Sequence, residues 1–203
     1  MADHPEAAFP AKTVWPGSTQ LGPVPAVLVG CAEPDGSKPN LITIAWTGIV
    51  CSQPPMLSIS VRPERYSHGL ISRSGVFTVN LTTVGMAAAT DWCGVKSGRE
   101  FDKFAECKLN GLPGREINAP GVAESPVTLE SRTTQVIKLG SHDLFLAEIV
   151  AVQVSSDLLD AEGRLSLEKA GLLAYAHGHY YALGRAIDHF GFSVRKKKSA
   201  RRK

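Results

Sequence analysis

No stretch of this chain is long and apolar enough to span a membrane, and no internal repeat recurs along it. The start, Met1-Ala2-Asp3-His4-Pro5-Glu6, lacks the basic opening and apolar centre of a secretory leader. Four widely spaced cysteines, Cys31, Cys51, Cys93 and Cys107, include no CxxC pair, and reduced thiols in a cytoplasmic protein are the expected reading. No GxGxxG follows a strand pattern, so no Rossmann turn is available to a nicotinamide cofactor. No GxSxG elbow marks a hydrolase nucleophile. Lys96-Ser97 lacks the spaced glycines of a P-loop.

What is present fits one domain with a substantial core: 203 residues, 43% hydrophobic and 20% charged. The basic charge is concentrated at one end. Residues 195–203, RKKKSARRK, hold seven basic residues and no acidic one, and without them the formal charge falls from +3 to −4. An anionic ligand therefore needs a local basic pocket, because the body offers no general positive field. The tail reads as a solvated, disordered end rather than a nucleic-acid-binding arm.

The stretch from Asn40 to Ile71 organises the rest. Ile42, Ile44 and Trp46 alternate with Thr43 and Ala45, and Leu57, Ile59 and Val61 repeat that period after Gln53-Pro54-Pro55. Two strands are expected, with a small polar loop from Thr47 to Ser52 between them where a planar ring could approach the backbone. Arg62-Pro63-Glu64-Arg65-Tyr66 then brings two guanidinium groups just ahead of Ser67. Ser67 is expected to cap a short helix to Ser74, stopped by Gly75. Free N–H groups, a hydroxyl and two arginines at a helix start suit a phosphate, so Arg62, Arg65 and Ser67 are its candidate ligands.

Around this centre the chain alternates strands and turns. Pro25 to Cys31 is a strand that returns through Glu33–Ser37 as a hairpin. Val76 to Leu81 is another, in which Asn80 either satisfies nearby backbone groups or contacts a ligand. Thr82 or Thr83 caps a helix from Val84 to about Trp92, broken by Gly94 to Arg99. Phe101 to Ala105 is a short amphipathic segment in which Lys103 is solvated or contacts a ligand. Residues 108–126 read as a long loop. Val127 to Leu139 and Leu144 to Val154 form a hairpin, with Leu144, Leu146, Val150, Val152 and Val154 on one face. Glu148 interrupts that face and is expected to pair with Arg or Lys. His177 and His179 would share a strand face, a spacing a metal could use, but no third ligand stands at recognisable spacing and no metal is expected. The sum is a mainly β, α+β protein: an antiparallel, Greek-key-like barrel of about six strands with short flanking helices.

The ordered set Asn40…Thr43, Ala45-Trp46-Thr47, Pro54-Pro55, Arg62 to Ser67, Phe77-Thr78-Val79-Asn80, Phe101-Asp102-Lys103-Phe104, Gly140-Ser141-His142 and Gly191-Phe192-Ser193 resembles the FMN-binding split-barrel proteins of the flavin-reductase type, which include flavoredoxins and FMN-dependent ferric reductases. The resemblance covers residues 14–194, between an irregular arm at 1–13 and the basic tail at 195–203. It implies an FMN site drawing on Thr43, Ala45, Trp46, Thr47, Gly48, Cys51, Arg62, Arg65, Ser67, Asn80 and Lys103. It also places Cys51 and His142 near the reactive edge as candidate catalytic residues. Cys51 is otherwise an inert thiol, and His142 otherwise a loop cap. The implied activity takes electrons from NAD(P)H and passes them to free flavin, a ferric chelate, or a partner oxygenase or redox protein. The alternative is an FMN carrier of flavoredoxin type with no nicotinamide activity; a weaker one is haem or another ligand in the same cleft. The resemblance further implies a homodimer whose second subunit completes the cleft.

Overall fold

The computed structural model describes residues 9–195, so the expected tail lies outside the described residues except for Arg195. In chain order come β1 (Val24–Pro25), β2 (Val27–Cys31), β3 (Asn40–Ile44), β4 (Thr47–Ser52), β5 (Pro55–Val61), α1 (Tyr66–Ser74) and β6 (Val76–Leu81). They are followed by α2 (Ala87–Val95), α3 (Lys103–Glu106), β7 (Gly111–Leu112), β8 (Gly121–Val122), β9 (Val127–Lys138), β10 (Asp143–Val154), β11 (Leu173–Ala176) and β12 (His179–Ala182). Seven strands make one antiparallel sheet in the order β3-β2-β6-β9-β10-β5-β4. The pair β7-β8 and the set β1-β11-β12 stand apart. No described helix is long and apolar enough to cross a membrane.

The sheet curls so that β3 approaches β5, and the Ser60 N–H donates to the Trp46 carbonyl at 3.0 Å where the chain passes from β3 to β4. Inside lie Val27, Val29, Ile42, Ile44, Leu57, Ile59, Val61, Phe77, Val79, Phe145 and Ala147, closed by Leu70 and Ile71 of α1. Strand β2 is buried on both faces, which explains its unbroken apolar run. Its outer face, through Leu28, packs with Leu41, Met86, Cys93 and Val122 under α2. Gly30 is required there, since a Cβ would overlap the Pro120 carbonyl.

Four expectations change. The segment Thr47 to Ser52 is not a loop but the edge strand β4, paired with β5, which raises the sheet to seven strands. Ser67 is not the cap of α1; Arg65 holds that position without a side-chain bond, while Gly75 does end the helix in the left-handed region at φ 69°. On β10 the core face is Phe145 and Ala147, whereas Leu144 and Leu146 are half-buried outside and Glu148 is exposed opposite Arg132. Bulges at Leu146/Ala147 and Ile149/Ala151 break the simple period of two. His177 is in the β11-β12 turn at φ 48°, so it does not share a strand face with His179.

Glu130 on β9 is a carboxylate fully buried in the sheet, unlike the exposed Glu148. It accepts the N–H groups of Arg115, Glu116 and Ile117 at 2.8–3.2 Å and Gln153 Nε2 at 2.9 Å. A negative group meeting several converging N–H donors is well satisfied even without water. It fastens residues 115–117 of the long loop to the sheet.

Candidate functional site

The ends of β3 and β5, the start of α1 and the end of α2 converge at one rim of the barrel. Between them lies a cleft of about 270 Å³ whose walls include Thr43, Ala45, Trp46, Ser60, Arg62, Arg65, His142, Tyr175 and Tyr180. It shares Ile42, Arg62 and Arg65 with a second cavity of about 460 Å³, bounded by Tyr66, Ser67, Cys93, Lys96, Gly98, Arg99 and Lys103. The two form a continuous groove, apolar and aromatic at one end and basic at the other.

At the aromatic end Trp46 and His142 meet as tilted rings with centroids 4.5 Å apart. His142 Nδ1 lies 2.9 Å from Ser141 Oγ. Partial burial, helped by the Arg62 charge, lowers the His142 pKa below its ordinary value despite Glu64 nearby, so the ring is neutral at pH 7. Tyr175 and Tyr180 stack edge to face at 5.4 Å on the opposite wall. Tyr180 donates to Asp91 at 3.3 Å, and burial, with Asp91 beside it, pushes its pKa up to about 12. It remains a phenol at any physiological pH.

At the basic end Lys103 is 3% exposed and donates to the Cys93 carbonyl at 2.7 Å. An ammonium has three hydrogens to place, and among the described residues this carbonyl is the sole acceptor bonded to it. Burial lowers its pKa from 10.5, although the thiols of Cys93 and Cys31 oppose the shift. Arg99 lies over the Tyr66 ring and Lys96 over Phe101. Among the described residues Arg65, Lys96, Arg99 and Lys103 form no ion pair, while Arg62 has only an exposed contact with Glu64 at 3.4 Å. Ser67 is buried, its Oγ accepting from Asn40 Nδ2 at 2.7 Å. Gly98 allows the covering loop to pack, since a Cβ there would overlap Asn40 Oδ1.

The groove thus brings together Thr43, Ala45, Trp46, Arg62, Arg65, Ser67, Lys103 and His142. The Thr43 hydroxyl is already donated to the Thr90 carbonyl. Thr47 and Gly48 line an adjoining depression that shares Ala45, Trp46 and Ser60 with the cleft, and the Thr47 hydroxyl donates to Ser58 O at 2.7 Å. Cys51 is not brought to His142: it pairs with Met56, whereas Asp143, the neighbour of His142, pairs with Val61. Five residues of strand separate the two pairings, about 17 Å.

Asn80 is also outside the groove. It is fully buried, its amide donates to Leu28 O and Thr78 Oγ1, and its oxygen accepts from Val122 N and Thr128 Oγ1, all at 2.8–2.9 Å. Those four bonds use its full capacity, so the backbone-satisfying reading of Asn80 stands and the ligand reading is withdrawn. Lys103 is buried rather than solvated. Lys96, Arg99, Tyr175 and Tyr180 were missed; the only local signal was the pair of basic residues flanking Ser97-Gly98.

Comparison with known proteins defines the class first. Residues 21–184 match the model of the flavin reductase like domain, and the chain belongs to that family, with the split-barrel fold of its FMN-binding members. Among solved structures it is similar to the flavoredoxin of Desulfovibrio vulgaris (Miyazaki F), at 32% identity and a TM-score of 0.84, covering 91% of this chain and 100% of that one. A curated protein of Aeropyrum pernix without an assigned activity is 34% identical over 76% of this chain and 58% of its own length. The 4-nitrophenol 4-monooxygenase/4-nitrocatechol 2-monooxygenase reductase component of Rhodococcus opacus is 25% identical over 64% of this chain and 66% of its own. The chain spans 57–65% of the length of the first three curated relatives it matches.

Proposed function

We propose that the groove holds FMN and that the chain is an FMN-dependent oxidoreductase. The observation that carries this reading is the cluster of four cations in one cavity, none in an ion pair among the described residues although Glu64 and Glu100 also line the cavity, with Lys103 almost fully buried among them. Burying an ammonium with one acceptor is costly, and an anion in the cavity removes that cost. A single phosphate ester bound by Arg65, Lys103 and the start of α1, with Lys96 and Arg99 at the mouth, meets the requirement. The ring system of a flavin suits the adjoining cleft, where Trp46, Tyr175 and Tyr180 supply aromatic surface and Ala45 leaves backbone accessible.

FMN, when bound, supplies hydride and single-electron chemistry. The protein's part is to fix the phosphate, cover the ring and keep a neutral hydrogen-bonding group at its edge. His142 serves as that group, with Nδ1 turned to Ser141 and Nε2 left for the ligand. Cys51 has no direct part.

The electron source is NAD(P)H, bound over the flavin, and the acceptor is free flavin, a ferric chelate or a partner oxygenase. The Rhodococcus relative, a monooxygenase reductase component, supports the last. A carrier without nicotinamide activity is the second reading, favoured by similarity to a flavoredoxin over that protein's whole length. The working unit is a cytoplasmic homodimer, supported by Ile49 and Val50 exposed on the edge strand β4. Anaerobic titration of FMN-loaded protein with NADH and NADPH separates the readings. Bleaching of the flavin band is expected; a band that only dithionite bleaches makes the protein a carrier. Failure to retain FMN, or a haem spectrum, removes the flavin reading.

A further inference from the structure

Three of the four cysteines gather beneath the basic cavity. Cys31 Sγ contacts Asn40, whose amide bonds Ser67, and Cys93 forms part of the cavity wall. The Sγ atoms of Cys93 and Cys107 lie 3.7 Å apart, a thiol–thiol contact without a covalent bond. A disulfide needs about 2.05 Å, so roughly 1.6 Å of approach closes it. The two sulfurs sit on separate elements: Cys93 on α2, and Cys107 directly after the single-turn α3. Such a short helix, held at its start by Asp102 accepting from Phe104 N and Ala105 N, can shift by that amount.

We propose that Cys93 and Cys107 are a reversible oxidation site, closing to a disulfide that fastens α3 to α2 in the wall of the anion cavity. The inference does not rest on the flavin reading. The roles of the two sulfurs follow from their surroundings. Cys107 is half-buried and reachable by a small oxidant, whereas Cys93 is fully buried. Burial and the neighbouring Cys107 push the Cys93 thiol up to about 12, so Cys93 does not react first. The Cys107 thiolate attacks hydrogen peroxide, the O–O bond breaks, and a sulfenic acid and hydroxide result. Cys93 then attacks the Cys107 sulfur as it gives up its proton; the S–S bond forms, the S–O bond breaks, and hydroxide leaves. With the two thiol protons, both hydroxides become water. Two thiols have lost two electrons to one peroxide, and an added dithiol returns them by exchange.

Closure ties the element carrying Lys103 to the one whose carbonyl accepts from it. The bonded chain between the cysteines is short, and cross-linking it restricts the unfolded state.

The test uses the full chain. Protein is exposed to hydrogen peroxide, remaining thiols are alkylated, and the tryptic peptides are mapped by mass. Cleavage separates residues 74–96, with Cys93, from residues 104–108, with Cys107, so the bond appears as a linked pair of peptides. That pair is expected in oxidised protein, absent after dithiothreitol and absent in Cys107→Ser. The Tm of oxidised protein is expected to rise by about 5 °C over the reduced form and not to rise in Cys107→Ser. Cys93→Ser removes a core thiol and can fail to fold, so the half-buried position provides the control. Full alkylation of both cysteines after peroxide, oxidation of Cys107 to sulfinic acid with Cys93 free, or linkage to Cys31 or Cys51 instead would each overturn the proposal.

Discussion

Arg65 and Lys103 both line the basic cavity and differ in what they cost the fold. Arg65 carries its charge at the start of α1 with no carboxylate partner among the described residues, so its removal should act mainly on the ligand. Arg65→Ala is expected to weaken FMN by about 1.5–3 kcal/mol, the scale of a charge-assisted hydrogen bond. Riboflavin, without a phosphate, should bind both proteins alike, as fluorescence titration would show; an equal loss for riboflavin would make Arg65 structural.

Lys103 adds a pH dependence. Its pKa is lowered in the folded chain, so between that value and 10.5 the unfolded chain binds the extra proton. Stability of the ligand-free protein therefore rises with pH across that window. Affinity for FMN runs the other way, falling as the ammonium is lost. Lys103→Met should flatten this alkaline fall and weaken binding at pH 7 at least tenfold, with little loss of Tm. A mutant that kept wild-type affinity would show that the buried charge serves the fold alone. Cys51→Ser tests the opposite expectation. Because Cys51 on β4 and the neighbour of His142 on β10 pair with opposite ends of β5, retained FMN and a flavin reduction rate within about tenfold of wild type are expected. Abolished reduction in stopped flow would place Cys51 in the chemistry.

At the scale of elements, α1 and its flanks were legible because their signals are local. Gly75 stops the helix where a residue without Cβ is needed, and the arginines stand next to it in sequence. Lys96 and Arg99 enter the same cavity only because α2 packs on β2 and β3, which no local pattern reports. The long loop shows the same limit. Its anchor is Glu130 on β9, where the alternation predicted only a strand. Glu130→Gln keeps the shape but turns donors toward the N–H groups of residues 115–117. A loss of about 3 kcal/mol in urea unfolding is expected. A loss below roughly 1 kcal/mol would mean the loop is held by other contacts.

For the molecule as a whole, the exposed apolar residues lie away from the barrel core. Ile49 and Val50 stand on β4, Trp15 and Leu21 on the irregular segment before β1, and Ile187 and Phe190 on the segment after β12. Unpaired edges and apolar patches of this kind are covered by partners in most proteins. A homodimer by sedimentation at micromolar concentration is expected, and Ile49→Lys with Val50→Lys should weaken it. A monomer that still binds FMN fully would remove the dimer.

The sequence by itself determined the antiparallel hairpins, the stop of α1 at Gly75, the long β9-β10 pair and the pairing of arginines with a helix start. These rest on periods and turns spanning a few residues. Only the tertiary structure decided that Thr47–Ser52 is a strand, that two bulges turn Phe145 and Ala147 inward, and that Asn80 spends its amide on the fold. It also decided that Lys103 is buried and that Cys51 and His142 lie far apart. Periodicity shows which residues can share a face. Which face is buried, and what a polar group finds there, depends on segments that meet only when the sheet closes.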